Sequence, residues 1–206
     1  SGSIVLRSTN AGTSGVSGNL VFASGTTSSG ASGKINIKTG SATNGYGGDV
    51  ILSVGASSTD IGGNVLATSG ISTPLTGGAI SFASGLGTST SSGSIILRTA
   101  NAGTNGVSGA LSFVTGTTSS GSSGKVLVSS GSATAGKGGD IVFTVGSGNT
   151  GNGGDIRLTA AETTAASSNG GAIEFTAGTG SSGTAGAGGH ANFVGGEGQS
   201  HTGGSV

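Results

Sequence analysis

The sequence predicts an all-β fold, a single-stranded β-solenoid (β-helix) of about 13 stacked coils, mostly of 15 residues, with parallel sheets around a narrow core. Three observations predict it: evenly spaced glycines, an apolar alternation after each of them, and a shortage of large side chains. The 206 residues include 48 Gly and only 3% aromatic residues. That is too little large apolar volume for the core of an ordinary globular domain.

The glycine spacing defines the repeat. Each repeat begins with Ser-Gly or Gly-Gly, and we call the second residue of this pair the repeat glycine. Neighbouring repeat glycines are 15 to 18 residues apart and most often 15, at Gly2, Gly18, Gly33, Gly48, Gly63, Gly78, Gly93, Gly109, Gly124, Gly139, Gly154, Gly171, Gly189 and Gly204.

The residues that follow each repeat glycine alternate with period two. The second and fourth are apolar, as in Val50 and Leu52, and the sixth is short, as in Ser24 and Val54. A period of two indicates a strand with these columns on one face, and stacking strands about 4.8 Å apart would bury that face. The fourth column holds all six phenylalanines: Phe22, Phe82, Phe113, Phe143, Phe175 and Phe193.

The domain prediction is one continuous β-solenoid over 1–206, with a longer repeat inside it. Residues 1–60 realign with 92–151 at a shift of 91. This predicts six-coil super-repeats at 1–91 and 92–187 and a partial third unit at 188–206. Neither end is a polar cap, so we expect further repeats or end-to-end stacking of chains.

Opposite charges fall in one column of neighbouring repeats. In the predicted solenoid they would form inter-coil pairs that support the register by a few tenths to about 1 kcal/mol each. The predicted pairs are Lys34 with Asp49, Lys125 with Asp140, and Arg157 with Glu174.

Short hydroxyl side chains form two further columns, at positions eight and ten of the repeat. If they point outward, they make a flat face suited to ice or crystalline polysaccharide, although residues such as Ile71 and Glu162 interrupt it. The candidate binding face consists of Thr26, Ser28, Ser41, Thr43, Thr117, Ser119, Ser132 and Thr134.

The third and fifth positions predict association between chains. In the solenoid they lie opposite the core columns, yet Val5, Val21, Ile51 and Val142 are apolar. Parallel sheets are normally covered on both faces. We therefore expect self-association, side by side or end to end.

Other functions are disfavoured by the composition. Lys+Arg and Asp+Glu are both seven, without the basic cluster that nucleic acid needs, and no apolar run reaches the ~20 residues of a membrane span. No cofactor site is expected, because the Gly-x-Gly-x-x-Gly matches lack helical context. No metal site is expected, because Asp occurs at only four positions and the period is fifteen, not the nine of calcium-binding coils. His190 and His201 are the only histidines, so neither a catalytic residue nor enzyme activity is expected.

Stretches such as Gly-Gly-Asp-Val-Ile-Leu-Ser at 47–53 and Gly-Gly-Asp-Ile-Val-Phe-Thr-Val-Gly at 138–146 resemble the Gly/Ser/Thr-rich β-solenoid repeat proteins of microbial, especially diatom-like algal, cell surfaces. The resemblance implies an extracellular or cell-surface protein. The predicted function is structural, in a fibre, adhesive or cell-wall layer. The alternative is ice (antifreeze) or crystalline-polysaccharide binding through the hydroxyl face.

Overall fold

The computed structural model describes residues 2–181, 183, 185–198 and 203–205. Over these residues the chain is largely coil, with neither a helix nor a strand. The prediction of an all-β solenoid with stacked parallel sheets is therefore wrong. The chain divides into two units, Ser1–Arg98 and Thr99–Val206.

The narrow apolar core is absent from the described residues, where no hydrophobic side chain is buried. The six phenylalanines of the predicted core column are 59% to 75% exposed. The chain exposes 20206 Å², whereas a compact monomer of 18.8 kDa exposes about 8,000 Å². The apolar columns are present in the sequence, but the monomer leaves them in solvent.

Backbone hydrogen bonds explain why no sheet is present. In a solenoid they would join neighbouring coils in a continuous ladder. At five repeat glycines the N–H donates instead to a carbonyl at the start of the loop just before it. Gly78 donates to Gly70 over 2.9 Å and Gly93 to Gly85 over 3.0 Å, so each bond closes the loop that leads from the apolar residues of one repeat to those of the next.

Two physical effects work against the sheet. Apolar residues such as Val50, Ile51 and Leu52 follow one another, so a sheet would present apolar side chains on both faces and one layer of chain could cover only one of them. Glycine also loses more conformational freedom on ordering than any other residue. The few large apolar side chains of each repeat do not offset that loss.

The unit Ser1–Arg98 nevertheless carries the 15-residue period as regular bends. The segment that follows each repeat glycine, which we call the apolar segment, runs for six residues without a bend, for example over 49–54. A loop then bends sharply and returns to the next repeat glycine. The bends lie at 13–15, 28–30, 43–45, 58–60, 73–75 and 88–90.

The unit Thr99–Val206 follows the same plan with longer loops near its end. Its bends include 119–121, 134–136 and 149–152, and a turn at 103–106 is closed by the Gly106 N–H donating to the Gly103 carbonyl over 3.2 Å. Gly171 N–H donates to Ala161 over 2.9 Å and Gly189 N–H to Gly178 over 2.9 Å. The extra residues of these two repeats therefore lie inside their loops.

Within the described residues, no helix has the length and apolar character needed to cross a membrane.

Candidate functional site

The base of the loop is a close contact that recurs along the chain. We call it the neck: the place where the sixth residue of one apolar segment meets the next repeat glycine. At Gly63 a Cβ atom would lie 2.7 Å from Val54 Cγ1, and at Gly154 it would lie 2.8 Å from Val145 Cγ1. A side chain at these glycines would displace the valine side chain or widen the neck.

The exposed fractions of the sixth-position side chains agree with a close contact at the neck. Val54 at 46% and Val145 at 43% are the least exposed large hydrophobic side chains among the described residues. Several sixth-position residues are half-buried, including Ser8, Ser69 and Thr115. The partial burial comes from the glycine backbone that passes over them.

The neck recurs with smaller sixth-position residues. At Gly78 a Cβ would lie 3.3 Å from Ser69 Cβ, and at four other necks it would lie 3.4 to 3.7 Å from the opposing Cβ, which is ordinary contact. These four necks pair Gly18 with Ser8, Gly33 with Ser24, Gly93 with Ser84, and Gly139 with Ser130.

A second local structure, in the loop after the apolar segment, recurs at a shift of 91 residues. Thr27 Oγ1 donates to the Ser29 carbonyl over 2.9 Å, and Thr118 Oγ1 donates to the Ser120 carbonyl over 3.0 Å. The glycines that follow are left-handed, with φ of 103° at Gly30 and 105° at Gly121. The two Val-Gly necks are also 91 residues apart. Local sequence alone is therefore sufficient to build these loops twice.

The candidate hydroxyl face lies in the loops. The second member of each pair is the first residue of a bend, and the first member lies two residues earlier. All eight side chains are exposed, but no sheet holds them in one plane. The residues at the bends are Ser28, Thr43, Ser119 and Thr134, and those before them are Thr26, Ser41, Thr117 and Ser132.

Asp140 and Arg157 form ion pairs with residues that are closer in sequence than the partners predicted for them. Lys137 Nζ lies 2.8 Å from Asp140 Oδ1, and Arg157 Nη2 lies 2.6 Å from Asp155 Oδ2. Both pairs are exposed. The predicted inter-repeat pairs, Lys34 with Asp49, Lys125 with Asp140, and Arg157 with Glu174, stay predictions.

Two open grooves lie between apolar segments, one in each unit. The groove in the unit Ser1–Arg98, which we call the first groove, is lined by Ser81–Ser84 and Ser94–Leu97 and has a volume of about 520 Å³. No charged side chain lines it. Its walls offer apolar contact area and serine hydroxyls, so it suits an apolar occupant.

The second groove lies in the unit Thr99–Val206 and has a volume of about 670 Å³. It is lined partly by Phe143, Phe175, Glu174 and His190. The Phe175 ring meets that of Phe193 edge to face, with centroids 5.6 Å apart, a favourable aromatic geometry. His201, the other histidine, lies outside the described residues.

Side chains that could bind a metal ion or a cofactor are sparse in the part of the chain that the structure describes. No group of three or more His, Cys, Asp or Glu side chains lies close enough together to hold a metal ion there. What the described residues can offer is contact: exposed apolar segments, grooves between them and hydroxyl-bearing loops.

Comparison with known proteins assigns no family. No family model matches the chain, and neither the curated proteins nor the solved structures contain a significant match.

The necks were missed by the sequence reasoning, although their signal was visible. In the predicted solenoid the short sixth column lies at the end of one strand and the repeat glycine just before the next, without contact between them. Small residues facing glycine at a separation of mostly nine or ten residues, as in Ser24 with Gly33, could have suggested a closed loop base.

Proposed function

We propose that this chain is a structural repeat protein of an extracellular fibre, adhesive or cell-wall layer, and that its working form is an assembly of many copies. One observation carries the proposal: the described residues expose the apolar side chains of every repeat. Large exposed apolar surfaces mark interaction sites. A surface repeated along the whole chain fits repeated association.

The size of the exposed surface favours assembly through several interfaces rather than association through a single small contact. The chain exposes roughly 12,000 Å² more than a compact monomer of its mass would. A standard protein–protein interface buries about 1,200–2,000 Å² in total. Several interfaces per chain are therefore compatible with the available surface, as a fibre or a layer requires.

Electrostatics does not oppose close packing of copies. The formal net charge is zero and only 7% of residues are charged. Net charge far from zero keeps proteins apart, whereas neutral chains associate more readily. The extracellular setting rests on the resemblance to microbial cell-surface repeat proteins.

The proposal is tested by sedimentation velocity of the full chain over a range of concentrations, with electron microscopy of the same samples. We expect a threshold concentration above which monomer converts to filaments or sheets. A chain that sediments as a monomer at every concentration, with no assemblies in the micrographs, overturns the proposal.

Binding of ice or crystalline polysaccharide is the second candidate, favoured by the exposed hydroxyls that recur at the bends. Thermal hysteresis and co-sedimentation with crystalline cellulose test it on the same preparation. The informative variant carries Ser28→Ala, Thr43→Ala, Ser119→Ala and Thr134→Ala together. Binding that this variant loses while self-association is unchanged favours the second candidate.

A further inference from the structure

We propose that the first groove, between Ser81–Ser84 and Ser94–Leu97, receives an apolar segment from a second copy of this chain. The inference rests on the proposed self-association and names the surface and the occupant through which it occurs. The groove and its walls lie within the unit Ser1–Arg98.

The neck holds the two walls of the groove beside each other. Gly93 N–H donates to the Gly85 carbonyl over 3.0 Å, and a Cβ on Gly93 would lie 3.5 Å from Ser84 Cβ. These contacts join the end of one wall to the start of the next. The groove is therefore partly organised before any partner arrives, which lowers the entropy cost of binding.

The chemistry of the walls favours an apolar occupant without charge. Phe82 is 75% exposed and Leu97 is 65% exposed, so both side chains gain from being covered. The stabilisation gained by covering them grows in proportion to the apolar surface removed from water. A charged occupant would lose hydration here and meet no opposite charge.

A second copy supplies an occupant of this chemistry. Its apolar segments are short, run without a bend, and often contain no charged residue, as over 79–84 and 110–115. The same segment type forms the groove walls, so wall and occupant match in length and polarity. Because the segment recurs in every repeat, one copy can engage several others, and an assembly can grow.

The test exploits the absence of cysteine from the chain. The Ala83→Cys variant carries one thiol in the groove wall, and the matched Leu86→Cys variant carries one in the adjoining loop, where Leu86 is 86% exposed. Each is labelled with a photo-crosslinking maleimide and mixed, above the assembly threshold, with unmodified ¹⁵N-labelled chain. Mass spectrometry then distinguishes crosslinks between copies from crosslinks within one copy.

We expect the Ala83→Cys variant to give at least about fivefold more crosslinks to apolar segments of the ¹⁵N-labelled copy than the Leu86→Cys variant gives. Crosslinks within one copy only, or an even spread over apolar segments and loops, overturn the groove assignment. Sedimentation of the same mixture reports association separately. A mixture that assembles without groove crosslinks thus contradicts this inference while supporting the proposed function.

Discussion

Gly63 lies against Val54 across the base of one loop, so close that a Cβ atom on the glycine would stand 2.7 Å from Val54 Cγ1. The same contact recurs 91 residues later between Gly154 and Val145. The repeat glycine thus has a steric role in closing a loop. Regular order in this chain is local, and each loop base is built from residues nine to twelve positions apart.

Substitution of the neck glycine should open its loop. In Gly63→Ala the new methyl would overlap the Val54 Cγ1 methyl, and because Val54 is 46% exposed and can partly turn away, we expect a cost of ~1 kcal/mol, the low end for overpacking. The bend at 58–60 contains Asp60, a site for a protease that cleaves before aspartate. We expect cleavage there to accelerate at least about fivefold, because proteolysis follows the open population.

Gly55→Ala is the matched control for the neck substitution. Gly55 lies at the other end of the same loop, and a Cβ there would meet nothing within 4 Å. Cleavage before Asp60 should stay at the rate of the unmodified chain. Equal acceleration in the two variants would show that general loss of glycine flexibility, and not the neck contact, controls the loop.

Insertions in a loop should leave assembly unchanged, whereas insertions in an apolar segment should weaken it. The neck hydrogen bond spans eight residues from Gly70 to Gly78 but ten from Ala161 to Gly171, so the same base accommodates loops of different length. Two residues inserted after Ser58 should leave the threshold concentration for assembly unchanged. Two residues inserted between Ile51 and Leu52 should raise it, because they disrupt the apolar segment that a partner would cover.

Sedimentation velocity measures both insertion variants against the unmodified chain. A loop insertion that raises the threshold as much as the segment insertion does would contradict the assignment of assembly to the apolar segments.

Salt type should separate apolar from ionic association. With zero formal net charge, screening by sodium chloride removes little repulsion or attraction between copies. Sulfate strengthens apolar burial because it is excluded from the protein surface. We expect ammonium sulfate to lower the assembly threshold and sodium chloride at equal ionic strength to leave it nearly unchanged. Dissolution of assemblies by sodium chloride would indicate ionic contacts instead.

The exposed ion pairs should contribute little to the free energy of assembly. Lys137 and Asp140 are 78% and 67% exposed, and exposed pairs of this kind are worth under about 1 kcal/mol. A double-mutant cycle with Lys137→Gln and Asp140→Asn, read as the assembly threshold, should give a small coupling that disappears in high salt. A large, salt-resistant coupling would show that this pair is buried in the assembly.

The sequence predicted the period of this structure but not its fold. Bends begin at Ser28, Thr43 and Ser58, 15 residues apart, as the glycine spacing implies. Alternation of apolar residues, as in Val50 and Leu52, indicates which side chains share a face of a strand. It does not supply the neighbouring strand that a sheet needs, and the described residues contain none.

The apolar surface for association between chains was also predictable in part from the sequence. The apolar character of Val21 and Ile51 on the presumed outer face already favoured association between chains, and that prediction underlies the proposed function. The inter-repeat charge pairs assumed a sheet that would place Lys125 beside Asp140. Asp140 Oδ1 lies 2.8 Å from Lys137 Nζ, three residues away, a contact that needs no long-range register, and the inter-repeat pairs stay predictions.

Amide hydrogen exchange of the dilute monomer, compared with the assembled protein, tests most directly whether the apolar segments are uncovered until copies associate. We expect segments such as 49–54 and 94–97 to exchange near the rate of unstructured peptide in the monomer and to become strongly protected in the assembly. Strong protection of these segments in the monomer, at concentrations below the assembly threshold, would contradict this conclusion and show that the chain covers them itself.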